Sequence, residues 1–134
     1  MAYPITDIRG IGPDTAALLK SEGIRTTIGL LRSAKTPKQR LKLAEMTHTN
    51  SERILGWVTA ADRMRVKGVG WEYSELLRAV GVKTVNELKF RNPEHLVDKM
   101  REANKRNLVR LLPKKQTVER WIESAKKLPT IIRY

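Results

Sequence analysis

Two short glycine-containing segments of the chain carry residue types suited to binding phosphate. Residues 8–12 read Ile-Arg-Gly-Ile-Gly, and residues 66–70 read Val-Lys-Gly-Val-Gly. Glycine adopts backbone angles that other residues avoid, and it lets a phosphate come close to the backbone N–H groups of such a turn. Where a helix follows directly, the positive end of its dipole also favours an anion. A site of this kind contacts the nucleic-acid backbone and does not read base sequence.

The two segments, called hairpin one (residues 8–12) and hairpin two (residues 66–70) from here on, belong to a longer internal repeat. Residues 8–31 align without a gap with residues 66–89, which lie 58 positions further along the chain. The offset becomes 64 positions later on, where Trp57 aligns with Trp121. A repeated block of this length indicates one structural unit used twice.

Both segments resemble the helix-hairpin-helix motif, in which apolar-x-Gly-apolar-Gly precedes a helix with a small residue four positions on. That small residue is Ala16 in the first copy and Ser74 in the second. The resemblance implies modules that bind DNA without sequence preference and often occur in pairs, as in repair enzymes, ligases, nucleases and uptake proteins.

A closer likeness covers roughly residues 8–129. On residues 57–62, 65–70 and 117–122 the chain resembles a bacterial family of tandem helix-hairpin-helix domains catalogued only as a domain of unknown function. This resemblance implies the fold and the repeat, a small helical bundle of the SAM/helix-hairpin-helix kind. It implies no substrate, partner or catalytic residue.

The secondary-structure signals predict an all-α protein. Pro13 directly after Gly12 is typical of a first helical position, and Gly23 is typical of the residue just past a helix end. Residues 36–39 and 84–87 each predict a capping box, and no segment alternates as a strand does. We expect two repeats, residues 1–64 and 65–134, packed as one compact unit, with an extended or frayed segment after Leu128.

The charge of the chain favours a polyanionic partner. Its 134 residues include 27 Lys and Arg against 14 Asp and Glu, a net charge of +13. Residues 32–42 contain five bases and no acid, and residues 99–134 contain eleven bases and three acids. Such a balance is typical of nucleic-acid binding, with an acidic protein or an anionic membrane as competitors.

From these patterns we predict a non-enzymatic, sequence-independent DNA-binding protein. Backbone N–H groups of the two hairpins hold phosphates, and neighbouring bases add attraction. The predicted nucleic-acid-binding residues are Arg9, Gly10, Ile11, Gly12, Thr15, Lys20, Lys35, Lys38, Arg40, Lys67, Gly68, Val69 and Gly70.

Other chemistries find little support in the sequence. There is no cysteine, and His48 and His95 lie in no metal-ligand spacing, so no metal or other cofactor is expected. Acids are few and scattered, which argues against a two-metal nuclease. No secretory signal or membrane-spanning run is visible, and we expect a cytoplasmic protein that does not bind membranes.

The sequence is compatible with two roles for Trp71 and with partners other than DNA. Trp71 either stacks on a nucleotide or packs against hairpin one, whereas Trp57 and Trp121 are expected in the core. Asp14 and Glu72 stand in the first turns after the hairpins, where acids complement the helix dipole but repel phosphate. The alternatives to DNA binding are a protein-interaction scaffold with purely structural hairpins, and RNA binding.

Overall fold

A computed structural model describes residues 2–134 of the chain. Within these residues the protein is all-helical, as predicted, and contains eight α-helices, two 3-10 turns (Ile5–Asp7 and Asn104–Arg106) and one isolated backbone bridge between Pro4 and Thr26. The α-helices in chain order are α1 (Pro13–Ser21), α2 (Thr27–Ser33), α3 (Pro37–Met46), α4 (Ser51–Met64), α5 (Trp71–Ala79), α6 (Val85–Leu88), α7 (Pro93–Ala103) and α8 (Lys115–Lys126).

The internal repeat of the sequence is matched by a repeated backbone conformation. Gly10 and Gly68, the first glycines of the two hairpins, have φ angles of +99° and +90°. Past the ends of α1 and α5, Gly23 and Gly81 have φ angles of +81° and +90°. These angles are strained for residues with a side chain, which explains why glycine recurs at these four positions.

The helix starts lie where the local signals predicted them. The capping box of residues 36–39 is present at the start of α3, and that of residues 84–87 is present at the start of α6. Hairpin two is preceded by the 14-residue helix α4, whereas hairpin one is preceded only by the 3-10 turn Ile5–Asp7. Among the described residues, the first copy therefore has a short 3-10 turn where the second copy has a full leading helix.

The apolar side chains form two core clusters. The first contains buried residues between Ile5 and Met64 together with Ile132, and the second contains buried residues between Val66 and Ala125. Trp57 belongs to the first cluster and Trp121 to the second, which confirms both tryptophans as core residues.

Helix α4 connects the two clusters through polar side chains at its end. The carboxylate of buried Asp62 accepts a hydrogen bond from the backbone N–H of Val85 at 2.9 Å and lies 2.8 Å from the Arg65 guanidinium. Burial raises the pKa of Asp62, and these two partners act in the opposite direction. Buried Arg63 donates to the Ser74 hydroxyl at 2.9 Å. The end of α4 is thus bonded to the starts of both α5 and α6.

The segment after Leu128 is extended but not frayed. It crosses back to the residues just before α3, where the backbone N–H of Arg133 donates to the Lys35 carbonyl at 2.8 Å. Ile132 is buried in the first core cluster, and the Arg65 guanidinium donates to the Pro129 carbonyl at 2.7 Å. The frayed alternative was wrong because an apolar residue and backbone carbonyls in this segment have partners far away in sequence.

Candidate nucleic-acid interface

Hairpin one presents its backbone to solvent. Arg9, Gly10 and Gly12 are exposed, whereas Ile11 turns inward and is 6% exposed. Gly12 has an extended backbone with φ −79°, and an added Cβ there would meet no atom within 4 Å. The start of α1 is therefore open to an approaching group.

Hairpin two has the same backbone but a more crowded second glycine. Lys67 and Gly68 are exposed and Val69 is fully buried. At Gly70 an added Cβ would lie 3.9 Å from the hydroxyl oxygen of Tyr3. Trp71, the first residue of α5, is half-buried and packs on the first core cluster. The start of α5 thus faces the first half of the molecule.

The helices that follow the hairpins have no side-chain cap. At α2, α3, α4 and α7 the N-cap side chain accepts a hydrogen bond from the third residue of the helix. At α1 and α5 the N-cap residue is Gly12 or Gly70, which has no side chain to accept one; α8 also lacks such a bond. The first N–H groups of a helix have no intrahelical acceptor, so those of α1 and α5 remain suited to an external anion.

Each hairpin rests on a tryptophan from the last helix of its own repeat. A Cβ added at Gly10 would lie 3.3 Å from Trp57 Nε1, and one added at Gly68 would lie 3.4 Å from Trp121 Nε1. This close approach explains why each repeat has a tryptophan in its last helix although the offset between the repeats changes. Each buried indole ring packs against the first glycine of its hairpin.

Arg53 is a base at hairpin one that the sequence analysis missed. Its guanidinium lies over the Trp57 ring at 5.6 Å from the centroid, with one nitrogen 3.5 Å from the Gly10 carbonyl oxygen. The side chain is exposed. No local signal indicates this role, because Arg53 is 43 residues from Gly10.

Most of the other predicted bases are exposed. Lys20 is exposed in the last turn of α1. Thr15, a predicted contact that is not a base, is half-buried in the first turn of the same helix. Lys35 and Lys38 are exposed around the start of α3. Their side chains are available to a polyanion.

Arg40 is the exception, because it is buried, and its prediction as a nucleic-acid-binding residue was wrong. It is 4% exposed, and its guanidinium donates to the carbonyl oxygens of Ala34 at 3.1 Å, Lys35 at 2.9 Å and Arg133 at 2.6 Å. Burial lowers the pKa of Arg40. Because its donors already serve the backbone, Arg40 fastens the extended segment after Leu128 to α3.

That same segment completes a basic groove at the start of α3. The groove has a volume of about 440 Å³ and is lined by three bases and no acid. Arg32 and Lys35 come from the predicted basic stretch, and Arg133 is brought to them from almost a hundred residues away. No pattern in the sequence predicts that Arg133 lies close to Arg32 and Lys35.

A larger cleft lies between hairpin one and the start of α5. Its volume is about 950 Å³, and we call it the interrepeat cleft. The residues that line it are Arg9, Gly10, Trp71, Glu72, Glu75, Asn104, Asn107, Leu108, Val109 and Arg110. Residues 104–110 belong to the connection between α7 and α8, which is longer than the connection 47–50 between α3 and α4. The change of repeat offset was the one sequence signal of this insertion.

The acids near the hairpins differ in how far neighbouring bases offset their charge. Asp14 and Glu72 are exposed in the first turns of α1 and α5. Glu75 accepts two hydrogen bonds from the Arg78 guanidinium and lies 3.6 Å from Arg63. Burial lowers the pKa of Arg63 to about 10, so it remains a cation at neutral pH. Glu75 therefore repels a phosphate less than its charge alone suggests.

Within residues 2–134 no group of three or more His, Asp or Glu side chains is arranged to hold a metal ion. In the same part of the chain, no helix has the length and apolar character needed to cross a membrane.

Together, the fold and the exposed hairpins define a strongly basic all-helical bundle with an internal repeat. The chain belongs to the family described as Domain of unknown function (DUF4332), which matches residues 9–128. The predicted membership of a family of unknown function is thus confirmed. Comparison with curated proteins and with solved structures gave no match.

Proposed function

We propose that the protein binds DNA without sequence preference, and that hairpin one is its principal phosphate site. The observation that carries the proposal is the exposed, uncapped start of α1, with Arg9 exposed beside it and open space around Gly12. Backbone N–H groups at this helix start would donate to a phosphate oxygen, and the helix dipole would favour the negative charge. In this proposal the two repeats act as helix-hairpin-helix units.

The surrounding bases would add longer-range attraction. Arg53 lies at hairpin one, and Arg32, Lys35 and Arg133 share the basic groove. Each base that neutralises a phosphate releases counterions, so the affinity should fall steeply as salt is added. Contacts of this kind position DNA without reading its bases.

Hairpin two is assigned a secondary role. Lys67 and Gly68 are exposed, but Gly70 lies against Tyr3 and Trp71 is half-buried. A phosphate at the start of α5 would have to fit beside the Tyr3 hydroxyl, which lies 3.9 Å from where a Cβ on Gly70 would stand. Hairpin two would therefore contribute less to the affinity than hairpin one.

The test is fluorescence anisotropy of a labelled duplex at several salt concentrations, first with the unchanged protein and then with Gly12→Leu. The backbone angles of Gly12 suit any residue, and its Cβ would point into open space. The added side chain should therefore block the phosphate and leave the fold intact. We expect at least a tenfold loss of affinity, which corresponds to about 1.4 kcal/mol.

Two control variants separate this effect from general damage. Ala79→Leu places a similar side chain on the exposed last turn of α5, and Lys99→Ala removes one exposed base from α7. Both should bind nearly as the parent does. If Gly12→Leu, shown to be folded by circular dichroism, binds as tightly as Ala79→Leu, the hairpin mechanism is wrong.

A protein-interaction scaffold is the second candidate, and the packing of hairpin two favours it. Tyr3 and Trp71 place the start of α5 against the first repeat, as expected of a turn with a structural role. If no duplex or RNA binds even at low salt, this scaffold with an acidic partner becomes the better assignment.

A further inference from the structure

The interrepeat cleft has an aromatic surface that the phosphate contacts do not use. Trp71 packs on the first core cluster and also lines the cleft, together with Leu108. Both side chains are half-buried. Aromatic side chains bordering a cleft are what unpaired nucleobases stack on, because every base has a π-face.

The cleft also carries side chains suited to the hydrogen-bonding edge of a base. Asn107 is exposed and has a left-handed backbone with φ +55°, and its amide can both donate and accept. Glu72 is exposed in the first turn of α5, and a carboxylate accepts hydrogen bonds from the N–H groups of bases, including the ring N–H of thymine. Because carboxylates repel phosphate, exposed Glu72 favours a neutral base inside the cleft.

Hairpin one and the cleft share two residues. Arg9 and Gly10 belong to the hairpin and also line the cleft, and Arg110 adds a second cation to the lining. A phosphate held at hairpin one would therefore place the adjoining nucleotide beside the cleft. The volume of about 950 Å³ falls within the range of small-molecule sites, roughly 300–1,000 Å³.

We infer that the interrepeat cleft binds a single unpaired nucleotide of a strand whose phosphate lies on hairpin one. The inference rests on the proposed function, since hairpin one supplies the phosphate contact. In a fully paired duplex the bases are stacked within the helix, whereas an unpaired base leaves the stack at low cost. The protein should therefore prefer DNA with a bulge or gap to a fully paired duplex.

The experiment compares two labelled duplexes of the same sequence, one of which carries a single extra, unpaired thymidine. Stacking of the unpaired base on an aromatic side chain adds to the affinity, so the bulged duplex should bind roughly tenfold more tightly. Equal affinities would overturn the inference but leave the proposed function standing. Failure of both duplexes to bind would overturn the proposed function itself.

A free mononucleotide offers the same base and phosphate, and a competition arm tells the two sources apart. Excess thymidine monophosphate should leave the bulged duplex bound, because the strand supplies further phosphate contacts. Displacement of the bulged duplex by the same excess would overturn the assignment to a strand and give the cleft to a free nucleotide.

Variants of cleft residues test whether the cleft binds the unpaired nucleotide. The quantity compared is the ratio of the affinity for the bulged duplex to that for the fully paired duplex. Trp71→Leu should reduce the preference for the bulged duplex to less than about threefold, whereas Trp71→Phe keeps an aromatic face and most of the preference. Asn107→Gly suits the left-handed backbone and should lower the preference severalfold, which keeps the test valid if Trp71→Leu fails to fold. Ala79→Leu is the control and should keep the full ratio. An unchanged ratio in both Trp71→Leu and Asn107→Gly would contradict the inference.

Discussion

At the scale of single residues, the same positive charge serves two different purposes in this protein. Lys38 is exposed on α3, whereas Arg40, two positions later, is buried and donates to three backbone carbonyls. The sequence places both in one basic stretch and cannot distinguish them, because one acceptor, the Arg133 carbonyl, lies 93 residues away. Arginine suits this role since its planar group donates in several directions at once.

The two residues should therefore respond differently to the same change. We expect Arg40→Ala to lower the free energy of unfolding by about 2–4 kcal/mol, because buried carbonyls lose charged donors. Lys38→Ala should change it by less than about 0.5 kcal/mol. Urea unfolding followed by circular dichroism measures both values, and equal midpoints for the two variants would contradict the assignment of Arg40.

At the scale of elements, most helix starts and turns could be predicted because their signals lie within a few residues. The capping boxes at residues 36–39 and 84–87 and the glycines after α1 and α5 are examples. The sequence also predicted that a helix directly follows each hairpin. It could not predict the tryptophan beneath each turn or the cleft beside hairpin one, because these depend on how distant helices pack.

The hairpin glycines provide a test at this scale. Gly10 has a φ of +99°, and an added Cβ would lie 3.3 Å from Trp57 Nε1, so Gly10→Ala should destabilise the fold by about 1–3 kcal/mol. Gly56 lies exposed within α4, and its added Cβ would meet nothing within 4 Å. Gly56→Ala should therefore stabilise the fold by about 0.5–1 kcal/mol.

Thermal unfolding of the two variants gives the comparison directly. The midpoint should fall for Gly10→Ala and rise for Gly56→Ala. A fall for both would indicate that glycine at position 56 serves a contact other than those described.

At the scale of the whole molecule, the two repeats are joined by more than the connection between them. The end of α4 is bonded to α5 and α6, and the segment after Leu128 returns to α3 and to the first core. The core positions of Trp57 in α4 and Trp121 in α8 were predicted from the sequence. The return of residues 129–134 to the first repeat could not be predicted, since the few apolar residues of this segment have no helical spacing.

Ile132 measures how much the returning segment contributes. It is 6% exposed within the first core cluster, so Ile132→Ala should lower the free energy of unfolding by about 2–4 kcal/mol. Thr130→Ala, at an exposed position of the same segment, should change it by less than about 0.5 kcal/mol. Urea unfolding decides the point, and a negligible effect of Ile132→Ala would mean that the segment only lies on the surface.

The returning segment also bears on how repeats of this kind can multiply by duplication. Each repeat ends in a tryptophan-bearing helix, and α4 runs directly into the next Gly-x-Gly turn. With the offset of 64 positions, Ile132 stands where the second repeat has Gly68. A side chain at that position disfavours the left-handed turn. The chain therefore does not form a third hairpin after α8. The residue at the position of its first glycine, Ile132, is instead buried in the core of the first repeat.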